Sequence, residues 1–259
     1  MREGSMKRST WFVLDVFLLL IFWSAITAYV PGAADVLPPV TKIASKMAEF
    51  LFSGALVRDI IVSLGRTLAG FAIAICTALP MGIALGTSPR LARAIDPLIE
   101  VLRLISPIAW IPLSILWLGI GESSKIFIIW QIAFFFILLN TVAGIKGIDK
   151  SVVEAAQTLG ADRIFLVVHV LLPASLPQIL VGLRLGLSVS IGGVILAEMV
   201  AAQSGLGVLI ERSRVTLSPE PMVVGILTIG IIGYLANRAM LLIEGRLTKY
   251  RAATLQQVD

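Results

Sequence analysis

The chain has 259 residues, of which 58% are hydrophobic and only 14% charged, too few to cover a water-soluble surface, which needs roughly 25%. Its net charge of +5 does not mark a nucleic-acid binder, because the basic residues are scattered among apolar runs and form no patch with interleaved aromatics. A single cysteine, Cys76, and a single histidine, His169, exclude a disulfide framework and leave no ligand set for a zinc site.

Apolar runs place six spans at about 11–30, 64–87, 98–118, 125–145, 178–200 and 222–243. The fold class expected is therefore an all-α membrane protein, with residues 1–259 forming a single transmembrane domain and no room for a separate soluble one. The first run follows Arg2, Lys7 and Arg8 as a secretory signal would, but it is longer than the usual apolar core of a signal, and no small-x-small cleavage site follows it. A retained helix is expected there. Gly82 and Gly86, four apart in the second span, make a face on which another helix can approach closely. In the third span Pro107 and Pro112 interrupt the apolar stretch and predict a bent or partly interfacial helix packed against protein. Eleven lysines and arginines, among them Arg90, Arg93, Lys146, Lys150 and Arg163, fall on the side of the termini against six on the other, which puts both termini in the cytoplasm.

The connection at 146–177 differs from the rest in length and order. Ser151 followed by Glu154 fits a capping box that starts a helix at Val152. Gly160 can take the left-handed conformation that closes it, and Asp162 caps a second helix. Pro173 is expected to end that second helix by Leu172. An ordered cytoplasmic feature of this kind binds a partner.

In the fifth span, Arg184, Ser188 and Glu198 recur at helical spacing on one face, with the two charges about 21 Å apart. This face either lines a translocation pathway or carries an arginine that snorkels to the interface. Arg66, beside Ser63 and Thr67, either anchors an interface or helps to receive an anion.

The segment Glu154 to Pro177, EAAQTLGADRIFLVVHVLLPASLP, resembles the signature loop of permease subunits of binding-protein-dependent ABC importers. The family pattern of Glu-Ala-Ala, Gly and Leu-Pro falls on Glu154, Ala155, Ala156, Gly160, Leu172 and Pro173 without insertion or deletion. Similarity extends through GIGESSKI at 119–126, NTVAGI at 140–145, GLRLGL at 182–187 and AEMVAAQSGLG at 197–207, and is to the branch that handles nitrate, sulfonates, taurine and bicarbonate. Ser106, where a second proline is expected, is a departure.

The resemblance implies the type I ABC importer permease fold and a place in the bacterial cytoplasmic (inner) membrane. It implies a second copy of the chain, two copies of an ATPase subunit holding ATP and Mg, and an extracytoplasmic solute-binding protein. Glu154, Ala155, Ala156, Gly160, Ala161 and Asp162 are then the ATPase-coupling residues. No Walker A pattern occurs, so ATP belongs to another chain, and this one binds no cofactor and has no catalytic residues. The rival readings are an ATP-independent solute channel, which needs a polar or carbonyl-lined filter, and an intramembrane enzyme, which needs paired catalytic groups inside the spans.

Overall fold

The computed structural model describes residues 3–30, 32 and 36–255. Arg2, which enters the charge count, lies outside the described residues.

Among the described residues the chain is helical throughout. Helix α1 (Glu3–Tyr29) is tied to the following loop by Trp23, whose Nε1–H donates to the Pro38 carbonyl at 3.0 Å. Helix α2 (Val40–Phe52) turns through Gly54, in the left-handed region at φ 75°, into α3 (Ala55–Thr87). Ile43 of α2 and Leu56 of α3 pack with Leu206 and Val224 in one buried cluster.

The expected third span is two helices, α4 (Pro89–Leu104) and α5 (Pro107–Leu118), bent by 99°. Proline disfavours a helical conformation in the residue before it, and Ser106, before Pro107, is accordingly extended at ψ 137°; Ile105, at ψ 120°, extends the break by one residue. Helix α4 buries Ala92 and Ile99 and leaves Arg93, Glu100 and Arg103 exposed, as suits an interfacial helix.

Helix α6 (Glu122–Lys146) is the axis of the bundle, packed along its length by α3 on one side and α9 (Leu172–Ala201) on the other. The Gly82 and Gly86 face works as expected: a side-chain carbon on Gly82 would lie 2.7 Å from Thr141 Cβ, and one on Gly86 2.8 Å from Ile145 Cβ. Small residues Ala74, Ala78 and Ala133 continue this seam between Phe71, Ile137 and Leu138.

Between α6 and α9 lie the loop helix α7 (Lys150–Thr158), a single turn α8 (Arg163–Phe165) and a π-helical segment Leu166–Leu171. Pro173 does not end a helix. Leu172 stays helical at φ −61° and ψ −50°, and one continuous helix runs Arg163–Val200. The wider π turn immediately before Pro173 accommodates the pyrrolidine ring and its missing N–H, which a regular helix could not do without a kink. Helices α10 (Leu206–Val215) and α11 (Pro219–Leu255) complete the chain.

Among the described residues, four stretches are long and apolar enough to cross a membrane: Ala55–Thr87, Glu122–Lys146, Arg163–Val200 and Pro219–Leu247. The bent α4–α5 pair makes a fifth, and the expected span at 11–30 falls on α1, whose shorter apolar stretch is Phe17–Tyr29.

Candidate functional site

The predicted coupling residues lie at one end of α6 and Glu198 at the other, with Arg184 and Ser188 on the stretch of α9 that packs between them; at 25 residues and ~1.5 Å each, α6 is about 37 Å long.

At the Lys146 end, α7 is capped by Asp149, not by Ser151. The Asp149 carboxylate accepts from the Ser151 N–H at 2.9 Å. The helix thus starts earlier than the capping box implies, and Glu154 stands too far along the first turns to reach back to the cap. This hydrogen bond lowers the Asp149 pKa below its ordinary value. The far end of α7 follows the glycine rule: Gly160, at φ 85°, donates to Gln157 O and Ala161 donates to Ala156 O, both at 3.0 Å. Asp162 then caps the next turn, accepting from the Phe165 N–H at 2.8 Å.

No residue of α7 is buried. Glu154, Ala155, Gly160 and Asp162 are exposed, Ala156 and Ala161 are half-buried, and Leu159 and Ile164 present large apolar surfaces at 89% and 73% exposure. His169 is exposed and stacks on Phe165 with ring centroids 4.5 Å apart. A helix this short is marginal in isolation, so its order rests on the two caps and the glycine closure.

At the Glu122 end, three segments far apart in sequence meet. Arg66, 6% exposed, donates from Nε to Glu122 Oε2 at 2.6 Å and from Nη2 to Glu122 Oε1 at 2.7 Å. Its Nη1 donates to Glu198 Oε1 at 2.7 Å and to the Ser204 carbonyl at 2.6 Å. The Glu198 carboxylate also accepts from the Ser63 hydroxyl at 2.8 Å and from the Gly207 N–H at 2.8 Å. Lys125, itself buried, donates to Glu122 Oε1 at 2.9 Å, and Asp59 accepts from the Gly205 N–H at 2.9 Å.

Gly205 is required here on two counts. Its φ of 125° suits only glycine, and an added Cβ would fall 2.4 Å from the Glu198 carboxylate. Arg66 is therefore no interfacial anchor. It is the centre of an ion cluster that binds α3, α6, α9 and the start of α10 together.

The Arg184, Ser188, Glu198 row is divided by these contacts. Glu198 is 1% exposed and fully engaged in the cluster. Arg184 pairs with Glu244 of α11 at 3.1 Å, both about a quarter exposed, and Ser188 is exposed with its hydroxyl bonded back to the Arg184 carbonyl. Neither Glu122 nor Lys125 stood out as a site residue in the sequence, although both lie in the GIGESSKI segment.

The α4–α5 elbow also borders a cavity of about 370 Å³ with wall residues Trp110, Trp117, Phe127, Trp130 and Phe134. Trp110 Nε1 and Gln131 Oε1, on two residues of this wall, are buried without a hydrogen-bond partner. No charged side chain lines this cavity, so a bare anion would find no counter-charge there.

Residues 74–249 match the binding-protein-dependent transport system inner membrane component family. The chain is 34% identical to the taurine transport system permease protein of Escherichia coli over 90% of its own length and 86% of that protein. It is 28% identical to the nitrate import permease protein of Synechococcus elongatus, covering 91% and 92% of the two chains. In fold it resembles a chain from an inward-facing structure of the MetNI methionine ABC transporter, with a TM-score of 0.68 at 23% identity over 74% of this chain and 96% of that one. The type I importer permease architecture inferred from the loop is thus the one this chain adopts. The chain belongs to the binding-protein-dependent ABC transporter permeases, a family of membrane transport components and not of enzymes.

Proposed function

We propose that this chain is one of two identical permease subunits of an ATP-driven importer for a small anion of the nitrate, sulfonate, taurine or bicarbonate class. A separate binding protein delivers the solute from outside. Two copies of an ATPase subunit hold ATP and Mg and drive closure. The protein lies in the bacterial cytoplasmic membrane with both termini inside. The anion class follows the names of the taurine and nitrate relatives.

The observation that carries this reading is α7, a helix capped at both ends yet with no residue fully buried within its own chain. Glu154, Ala155, Ala156, Gly160, Ala161 and Asp162 form a rigid lever whose bare face fits a groove on the ATPase. Movement there reaches the ion cluster through α6, and two bundle arrangements of comparable stability, biased by ATP and by the loaded binding protein, give alternating access. Arg184 and Ser188 remain our candidates for the pathway wall, and Glu198 acts from behind it.

Native mass spectrometry of the affinity-tagged chain from its host membrane tests the assembly. Two copies with two Walker-motif ATPases are expected. A chain that emerges alone, or only with copies of itself, would overturn the reading in favour of an ATP-independent channel. In the intact complex, Glu154→Ala is expected to abolish solute-stimulated ATP hydrolysis and leave the unfolding midpoint of the permease unchanged.

A further inference from the structure

The guanidinium of Arg66 has a fixed back and a wet front. Its Nη1 edge is bonded to Glu198, whose side chain is 0% exposed, and to the Ser204 carbonyl. The opposite edge, Nε with Nη2, forms a two-point fork on Glu122, whose side chain is 57% exposed. This front opens on a cavity of about 440 Å³ bounded by Arg66, Glu122 and Ser204 on its polar side and by Ile61, Val62 and Ile126 on its apolar side.

We propose that the Nε–Nη2 edge of Arg66 is a receptor for a small oxyanion, and that Glu122 occupies it as a tethered competitor. The inference rests on the small-anion reading above and names the atoms that would recognise the anion.

The chemistry of the fork sets the ligand class. Two parallel N–H donors match any small anion that offers two oxygens at carboxylate spacing, which includes nitrate, bicarbonate and a sulfonate. Of the two carboxylates on Arg66, Glu122 is the one solvent reaches and Glu198 the one it does not, so the Glu122 side is the exchangeable one. Displacement does not strand Glu122, because Lys125 Nζ stands 2.9 Å from its Oε1 and can keep it. Arg66 itself stays in place, since Glu198 and Ser204 hold its other edge. Chloride, a single-point acceptor, gains nothing from the fork. Of the nearby acids, Asp59 is engaged by the Gly205 N–H and Glu198 by four donor contacts.

The test is thermal unfolding of the purified permease with its ATPase partners in lipid nanodiscs, titrated with sodium nitrate and sodium methanesulfonate against sodium chloride at equal ionic strength. The oxyanions are expected to raise the unfolding midpoint and chloride is not. Glu122→Gln, which removes the competitor's charge, is expected to tighten the apparent oxyanion affinity by about fivefold. Arg66→Lys, which keeps the buried charge for Glu198 but has no fork, is expected to lose the oxyanion response. Equal responses to chloride and nitrate in the wild type overturn the proposal without recourse to any variant. So does a Glu122→Gln protein that is less stable but binds oxyanion no better, because a purely structural latch predicts that result. Nitrate or taurine uptake that persists unchanged in Arg66→Lys overturns the receptor and leaves the proposed function standing. Oxyanion binding at Arg66 in a complex that imports no anion does the reverse.

Discussion

At its Glu122 end α6 enters a cluster in which Arg66, Lys125 and Glu198 are all nearly inaccessible to solvent, while at its Lys146 end the same helix runs into a loop whose helix buries no residue. The first end is held by charges from three helices, α3, α6 and α9, and each offsets the cost of the others' burial. The second is held by backbone hydrogen bonds and two aspartate caps within about fifteen residues of sequence. An end fixed by the buried Arg66–Glu198 contact keeps α3 and α9 together even where the exposed Glu122 side exchanges. An end fixed locally keeps its own shape while the bundle moves, which is what a lever between two proteins needs.

Breaking the ionic end should have the largest effect. Glu198→Ala leaves the Arg66 guanidinium buried without its deepest partner and is expected to destabilise the permease by about 3–5 kcal/mol in chemical unfolding. Glu198→Gln, which retains acceptors for Ser63 and Gly207, is expected to lose less. If Glu198→Ala unfolds at the wild-type denaturant concentration, the cluster does not hold the helices together.

Next in size is the seam that joins the two ends. Gly82→Leu drives a side chain into Thr141 and is expected to cost about 1–3 kcal/mol through forced separation of α3 and α6, measured by the same unfolding experiment. Gly192→Ala, where an added Cβ meets nothing within 4 Å, is the control and should be near neutral.

The two ends were also unequally legible in the sequence, for the same physical reason. Gly160 and Asp162 could be read because each acts on backbone groups within five residues of itself. Gly82 and Gly86 declared a packing face by their spacing alone. The ion cluster joins Ser63 to Glu198 across 135 positions, and no local rule carries that distance, so Arg66 read as either an interfacial anchor or an anion contact, and Glu198 as a pathway residue. A signal was nonetheless present: SLGR at 63–66, GIGESSKI and AEMVAAQSGLG each pair charged or hydroxyl groups with glycines inside an apolar chain. Local rules also erred where the structure used an alternative to them. Asp149 took the cap offered to Ser151, and the π turn before Pro173 kept a helix going that proline alone would have stopped.

A pair of helix ends sharpens the comparison at smaller scale. Helix α10 closes as α7 does, with Leu217 donating to Arg214 O at 3.2 Å and Ser218 to Ser213 O at 2.8 Å, but the left-handed position holds a leucine at φ 52° where α7 has Gly160. Leu217 is 88% exposed, so little packing within the chain offsets the strain. Leu217→Gly is expected to stabilise the α10 end by up to about 1 kcal/mol, and Gly160→Ala to destabilise the loop by about 1–2 kcal/mol. Amide hydrogen exchange should localise both effects, at 215–218 and 157–161 respectively. A faster-exchanging α10 end in Leu217→Gly would show that Leu217 is held by contacts and is not strained.

The smallest expected effect is the pH response of the loop. Because the Ser151 N–H holds the Asp149 carboxyl below its ordinary pKa, the cap contributes fully above the usual aspartate range and is lost as pH falls through the lowered value. Asparagine caps nearly as well and does not titrate. Exchange of the 151–153 amides, corrected for its intrinsic pH dependence, should therefore accelerate on acidification in the wild type and stay level in Asp149→Asn. The ion cluster is not sampled by those amides, so a parallel acceleration in the variant would mean that the whole bundle, and not the cap, was opening.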